Sequence, residues 1–182
     1  MLFDKPYKIA DGRYFLKVTS DLGSRVLQQI NGVRMTIDGA QVTFSVPDAN
    51  VFASVDDAIL HQAKSSKVEW FGKEISDETV DSAYQKSLNP EHELVASFAT
   101  IKGQVVTQCF DTQKTQVALE TLSADTSVDV LVELIGLVFS KRTFEPTWKV
   151  IQVRTKAPPK QKFPREYLFT DEVPEEEESL DL

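Results

Sequence analysis

Between Val128 and Phe139 the chain reads VDVLVELIGLVF, a nearly continuous apolar run whose main interruption is Glu133. A segment of this kind must be covered on both sides. It reads as the central strand of a sheet, because its β-branched residues argue against a buried helix of the same length. Gly136 inside the run predicts a bulge or sharp bend, the device that small barrels use to turn corners. Trp148–Thr155 is the expected hairpin partner, joined to the run by a polar, basic connection at Ser140–Thr147.

The flanking sequence supports a mainly β fold. Asn31-Gly32 and Asp38-Gly39 are dipeptides that tolerate positive φ and close tight hairpins. Around them Val26–Ile30, Val33–Ile37 and Val42–Val46 alternate apolar and polar positions, which predicts a three-stranded meander preceded by a strand over Arg13–Val18. Two helices interrupt the strands. One is expected over Val55–Lys64 with Ser54 as its cap and Asp56 and Asp57 near its positive end. The other is expected over Asp77–Ser87 with Ser76 as its cap and Asn89-Pro90 as its stop. Strands return at Glu93–Thr100 and Gln104–Asp111 around Lys102-Gly103, with a short candidate at Val117–Leu119. Strand and helix do not alternate as parallel sheets require. The expected fold is therefore mainly β (α+β): an OB-like Greek-key barrel with helical insertions over residues 1–156. A basic, Pro-rich arm (157–170) and a disordered acidic C-terminal tail (171–182) follow it.

Charge divides along the same lines. The formal net charge is -8, but residues 171–182 hold seven acids and no base. The first 170 residues carry 20 Lys and Arg against 21 Asp and Glu, while 139–169 alone carry eight bases and two acids. A near-neutral body thus bears a basic C-terminal third. No apolar run is long enough to span a bilayer. Asp4, Lys5 and Lys8 stand where a signal peptide needs its apolar region, and Cys109 has no cysteine to pair with. These features predict no membrane association and an intracellular, reducing compartment.

Catalysis finds no support: there is no phosphate-binding Gly-rich loop, no GxSxG, no CxxC, and only two distant histidines. No cofactor and no metal are expected. Asp56-Asp57 is explained by a helix start, Glu91, His92 and Glu93 by a solvated loop, and Cys109 by burial as a small apolar residue. What stands out is SKRTFEPTWKVIQVRTK (140–156), cations interleaved with rings. Sequence-independent capture of single strands needs cations for phosphates and flat rings for unpaired bases. Strand parity at Trp148–Lys156 puts Ile151 and Val153 in the core and turns Trp148, Gln152, Arg154 and Lys156 to a groove. The expected nucleic-acid contacts are Trp148, Phe144, Phe139, Trp70, Lys141, Arg142, Lys149, Arg154, Lys156 and, on the meander's polar face, Arg34. For Trp148 and Phe144 a place in the core is the competing reading, and for Trp70 beside Phe71 it is a hydrophobic staple that anchors the second helix.

Two segments carry a family resemblance: EWFGKEISDETVDSAYQ (69–85) and VDVLVELIGLVFSKRTFEPTWKVIQVR (128–154). Trp70-Phe71-Gly72-Lys73 precedes an acidic helix. Later a strand ends Gly-x-x-Phe, a basic loop holds Phe144, and Trp148-Lys149-Val150-x-Gln152-Val153 follows. In these features, about a quarter of the chain, it resembles the single-stranded-DNA-binding proteins of large nucleocytoplasmic DNA viruses, notably those of algae and amoebae. The resemblance implies an OB-like fold and non-catalytic binding of single-stranded DNA in viral replication or recombination, in the nucleus or cytoplasm of an infected host cell. RNA stays open, because nothing identifies a contact to a 2′-hydroxyl. The tail, EVPEEEESLDL, has two expected roles. Glu175, Glu176, Glu177 and Glu178 can mimic phosphates over the basic groove, and Leu180 and Leu182 can engage replication or recombination proteins. A homo-oligomer is compatible with the sequence. The alternative is a protein-interaction module, or a transcription or replication subunit, whose basic arm binds an acidic partner.

Overall fold

The computed structural model describes residues 1–122 and 127–156. The expected arm (157–170) and acidic tail (171–182) lie outside the described residues. In chain order the elements are β1 (Leu2–Phe3), β2 (Tyr7–Lys8), β3 (Tyr14–Thr19), β4 (Val26–Asp38), β5 (Gln41–Ser45), α1 (Asn50–Ser65), α2 (Lys67–Phe71), α3 (Asp77–Ala83), β6 (Glu93–Phe98), β7 (Thr100–Ile101), β8 (Gln104–Val105), β9 (Gln108–Phe110), β10 (Gln116–Val117), a 3-10 turn (Leu119–Thr121), β11 (Ser127–Phe139) and β12 (Phe144–Thr155).

Five of these strands close on themselves. β4 pairs with β5, β5 with β6, β6 with β12, β12 with β11, and β11 returns to β4; only the β6–β12 contact is parallel. Numbered along the chain the circuit runs first, second, third, fifth, fourth, first, the Greek-key closure of an OB-like barrel. β3, β1 and β2 extend the β11 side, and β9 and β10 extend the β12 side.

Two bends make closure possible. Asn31-Gly32 does not close a hairpin. β4 runs unbroken through it, and two residues there face Asp129 alone, between the pairs Val128–Val33 and Val130–Ile30. Gly32 takes φ of 67°, so the dipeptide's tolerance of positive φ serves a bulge instead of a turn. The bend lets one strand serve β11 with its first half and β5 with its second. Asp38-Gly39 does open a hairpin, with Asp38 paired to Gln41. Gly136 marks the second bend, where the β11–β12 register shifts and β3 crosses close by. A Cβ there would strike the Leu16 carbonyl and the Phe15 ring.

The core fills the barrel with Ile30, Val33 and Met35 of β4, Val42 and Phe44 of β5, Leu94 and Ala96 of β6, Val128, Val130, Val132 and Leu134 of β11, and Val150 and Val153 of β12. The helices cover one end. α1 begins at Asn50, earlier than Ser54 predicts, and the Asn50 N–H is met by the Asp48 carboxylate. Asp56 and Asp57 therefore fall mid-helix, away from its positive end. α3 is capped by Ser76 as expected, the Thr79 N–H donating to its Oγ, but it stops at Ala83 because Tyr84 bridges to β12 at Phe144. The expected Gln104–Asp111 strand is split into β8 and β9.

Candidate nucleic-acid interface

The rings expected to stack on bases lie inside the protein. Phe144 is 1% exposed, Trp148 2%, and Trp70 and Phe139 7% each. The predicted loop at Ser140–Thr147 shortens to a turn at 140–143, so Phe144 enters β12 and stacks on Phe139 across the hairpin at 5.5 Å. Trp70 meets Phe139 and Phe3 edge-on or tilted. Trp148 packs its edge on Phe52 of α1, and its Nε1–H donates to Ser87 Oγ at 3.2 Å. Ser87 Oγ donates in turn to Asp56, which also accepts from Tyr84 Oη at 2.7 Å. Burial and the neighbouring Asp56 carboxylate push the Tyr84 hydroxyl far above its ordinary range, so it stays a donor. Here an indole, a hydroxyl and a buried carboxylate are satisfied together, and α1 is tied to β12. None of these four rings has a face free for a base.

Parity explains the error at Trp148. The β11–β12 register pairs Leu131 with Gln152 and Val132 with Val150, leaving Ile151 as an extra, bulged residue. Alternation reverses there. Trp148 and Val150 point inward below the bulge, Val153 points inward above it, and Gln152 and Arg154 point out. Ile151 is consequently half-buried on the outer side and lies outside the core.

On the outer face the pairings set three rows across four strands. The first joins the Asn31-Gly32 bulge, Asp129, Arg154 and Phe110. The second joins Gln29, Leu131, Gln152 and Gln108. The third joins Leu27, Glu133, Lys149 and Ser97 of β6. Successive rows are two residues apart along β11, roughly 6–7 Å, and three apart on β12 where the Ile151 bulge intervenes between Gln152 and Lys149. Arg34, opposite Ser127, and Lys156, bonded through its N–H to the Ser127 carbonyl, stand one step above the first row. Of the expected cations, Arg34, Arg154, Lys156 and Lys149 thus share one face. Lys141 and Arg142 sit exposed in the turn at the opposite end of the hairpin, about 40 Å along the strand from Arg154 and about 23 Å from Lys149.

Asp129 organises the upper rows. Its side chain is 10% exposed, and it accepts from the Gly32 N–H at 2.9 Å and from Arg154 Nη2 at 2.6 Å, with Lys156 Nζ at 3.2 Å. Burial alone would raise this carboxyl, but the Arg154 guanidinium, the Gly32 N–H and the Lys156 ammonium together hold it below the usual range. Beside it a cleft of about 240 Å³ is lined by Gln29, Phe110, Lys114, Leu131, Gln152 and Arg154. Sequence reading passed over Phe110, Lys114, Gln29 and Asp129. Strand β9, which carries Phe110, is three residues long and joins β12 in parallel, a pairing that no local pattern announces.

Other surfaces have a different character. The outer positions of β5 and β6, such as Thr43, Ser45, Val95 and Ser97, include neither ring nor cation. A larger cleft, about 880 Å³, opens between α1 and the chain from Tyr84 to Glu93, with Asp57, Glu93 and Glu145 among its lining residues. Cys109 is buried and its thiol is pushed up by desolvation. Among the described residues no three His, Cys, Asp or Glu side chains gather as metal ligands do, and no helix is long and apolar enough to cross a membrane.

A family model described as a family of unknown function, DUF5871, matches residues 31–171. No curated protein matches the sequence. Among solved structures, the chain is similar to the single-stranded DNA-binding protein from bacteriophage Enc34. In complex with single-stranded DNA that protein shows 11% identity, 85% of this chain and 95% of that one covered, and a TM-score of 0.43. Its C-terminal truncation shows 10% identity, 84% and 94% coverage, and the same score. Likeness at that level carries no argument about what this chain binds.

Proposed function

The chain belongs to the family of unknown function DUF5871, and we propose that it is a non-catalytic, largely sequence-independent binder of single-stranded DNA. The observation that carries this reading is the outer face of β4, β11, β12 and β9. Four cations, two half-buried apolar side chains (Phe110 and Leu131) and a line of amides from Gln29, Gln152 and Gln108 lie there in register. Cations meet phosphates, apolar surface meets bases, and amides can pair with any base edge. In this reading Arg34, Arg154, Lys156 and Lys149 contact phosphates. Lys141 and Arg142 join them only on a strand long enough to follow the whole hairpin.

The finer parts of the proposal rest on sequence. The viral resemblance supports a role in replication or recombination inside an infected cell. Its signature residues, Trp70, Phe144 and Trp148, lie in the core, so they speak for the fold and leave the contacts to other positions. The acidic end (171–182) is proposed to compete for the basic face or to recruit replication proteins through Leu180 and Leu182. A second reading, a protein-interaction module, has the exposed Ile101, Val105 and Val106 around the β7–β8 hairpin on its side.

Fluorescence anisotropy of a labelled, unstructured DNA strand across a salt series tests the proposal, with duplex and RNA as competitors. Neutralising about three or four phosphates predicts log K falling against log salt with a slope of about -2 to -3. Duplex should fail to compete, and removing residues 171–182 should tighten binding at low salt. No binding at low salt by either form refutes the proposal and leaves the protein-interaction reading.

A further inference from the structure

We propose that the cleft between β4, β11, β12 and β9 is a subsite for one unstacked nucleobase, with Phe110 as its stacking surface and Arg154 and Lys114 as its phosphate rim. The inference rests on the single-strand reading above and gives it a definite place. That place is the outer face of the first, fourth and fifth barrel strands. OB-like barrels ordinarily take oligonucleotides on the face of the second and third, which here are β5 and β6.

Three features point to a base. Among the described residues, Phe110 is half-buried yet belongs neither to the core nor to the side chains packed against it; Leu131, also half-buried, is likewise outside both. Both line a cleft of about 240 Å³, below the roughly 300–1,000 Å³ that encloses a whole drug-sized ligand, so it suits a single ring system. The amides of Gln29 and Gln152 line the same space and offer both donors and acceptors to a base edge.

Charge sets the orientation. Asp129 also lines the cleft, and its carboxylate is already matched by Arg154 and Lys156. An entering phosphate would meet that carboxylate, so the neutral base goes inward. The phosphate stays outside, on exposed Lys114 and on the half-exposed guanidinium of Arg154, whose side chain is 51% accessible. Among the described residues, the outward positions of β5 and β6 offer no ring to stack on and no cation.

The test compares oligothymidylate with an abasic strand of equal length, which keeps the phosphates and lacks the bases. Wild-type protein should prefer the thymidine strand. Phe110→Ala should reduce that preference about fivefold or more and leave abasic binding unchanged, and Phe110→Tyr should retain it. Thermal melting confirms that each variant is folded. If Phe110→Ala is folded and its preference equals that of the wild type, the subsite is wrong while the broader reading stands. A loss of affinity for both strands alike would mean a general distortion of the face, and would equally overturn it. Failure of the wild type to bind either strand removes the single-strand reading, and the subsite with it.

Discussion

From Phe144 to Val150, β12 turns its rings into the protein. Phe144 packs on Phe139 and Phe71, and Trp148 packs on Phe52 and bonds to Ser87. From Gln152 onward the same strand and Lys156 just after it turn an amide and two cations outward, onto a face shared with Gln29, Leu131 and Phe110. A stretch that reads as one mixture of rings and charges is thus two surfaces, divided at the Ile151 bulge. The rings of the first half hold the helices onto the barrel, Lys149 alone of its cations facing outward, and the second half carries most of the proposed binding face. Rings near cations in a sequence do not mean that they share a face.

The largest test of this division falls on the first half. Trp148→Ala should cost about 3–5 kcal/mol, because it empties a buried site against α1 and strips Ser87 of a donor. Chemical unfolding would measure it. Trp148→Phe should cost less while keeping a ring. If the division holds, the folded Phe variant binds single-stranded DNA with wild-type affinity. A selective loss of affinity without loss of stability would return Trp148 to the interface.

The second half should respond the opposite way. Arg154→Gln and Lys156→Gln should each lower affinity several-fold at low salt and flatten the salt slope by about 0.7. Both cations are about half exposed, at 51% and 45%, so their ion pairs to Asp129 contribute little to stability, and melting should shift only slightly. A variant that binds normally with an unchanged slope would remove that cation from the proposed path.

The same contrast separates what was legible in the sequence from what was not. VDVLVELIGLVF announced the long central strand, and Gly136 its bend, because a two-sided apolar run with one glycine has few other uses. Ser76 announced its helix through a cap that needs only local geometry. Asn31-Gly32 was misread because positive φ serves a bulge as well as a turn, and what decides between them is the partner strand, some hundred residues on in the chain. Ile151 was invisible for a related reason: a bulge inserts one residue without altering composition, and every parity argument beyond it reverses. Phe110 was overlooked because its neighbours reach it through a parallel pairing with a strand more than forty residues away.

The smallest expected effect bears on the electrostatics of the upper half. Asp129→Asn keeps an oxygen for the Gly32 N–H and removes the charge that competes with phosphate for Arg154 and Lys156. Removing one negative charge a few ångströms from a phosphate is worth about 1 kcal/mol in water. Binding should therefore tighten about fivefold at low salt, and the gain should fade as salt rises. The pH dependence follows from the lowered carboxyl pKa. A carboxyl depressed in the folded state contributes stability that is fully present above its ordinary value of 3.8 and is lost as pH falls through the lower folded value. The wild type's small advantage in melting over Asp129→Asn should hold from neutral pH down to about 4–5 and disappear in stronger acid. Because Asp129 stays ionised throughout that upper range, it should impose no pH dependence on DNA binding there. If Asp129→Asn binds no tighter than the wild type at low salt, the carboxylate is a fixed part of the scaffold and Arg154 is not available to phosphate.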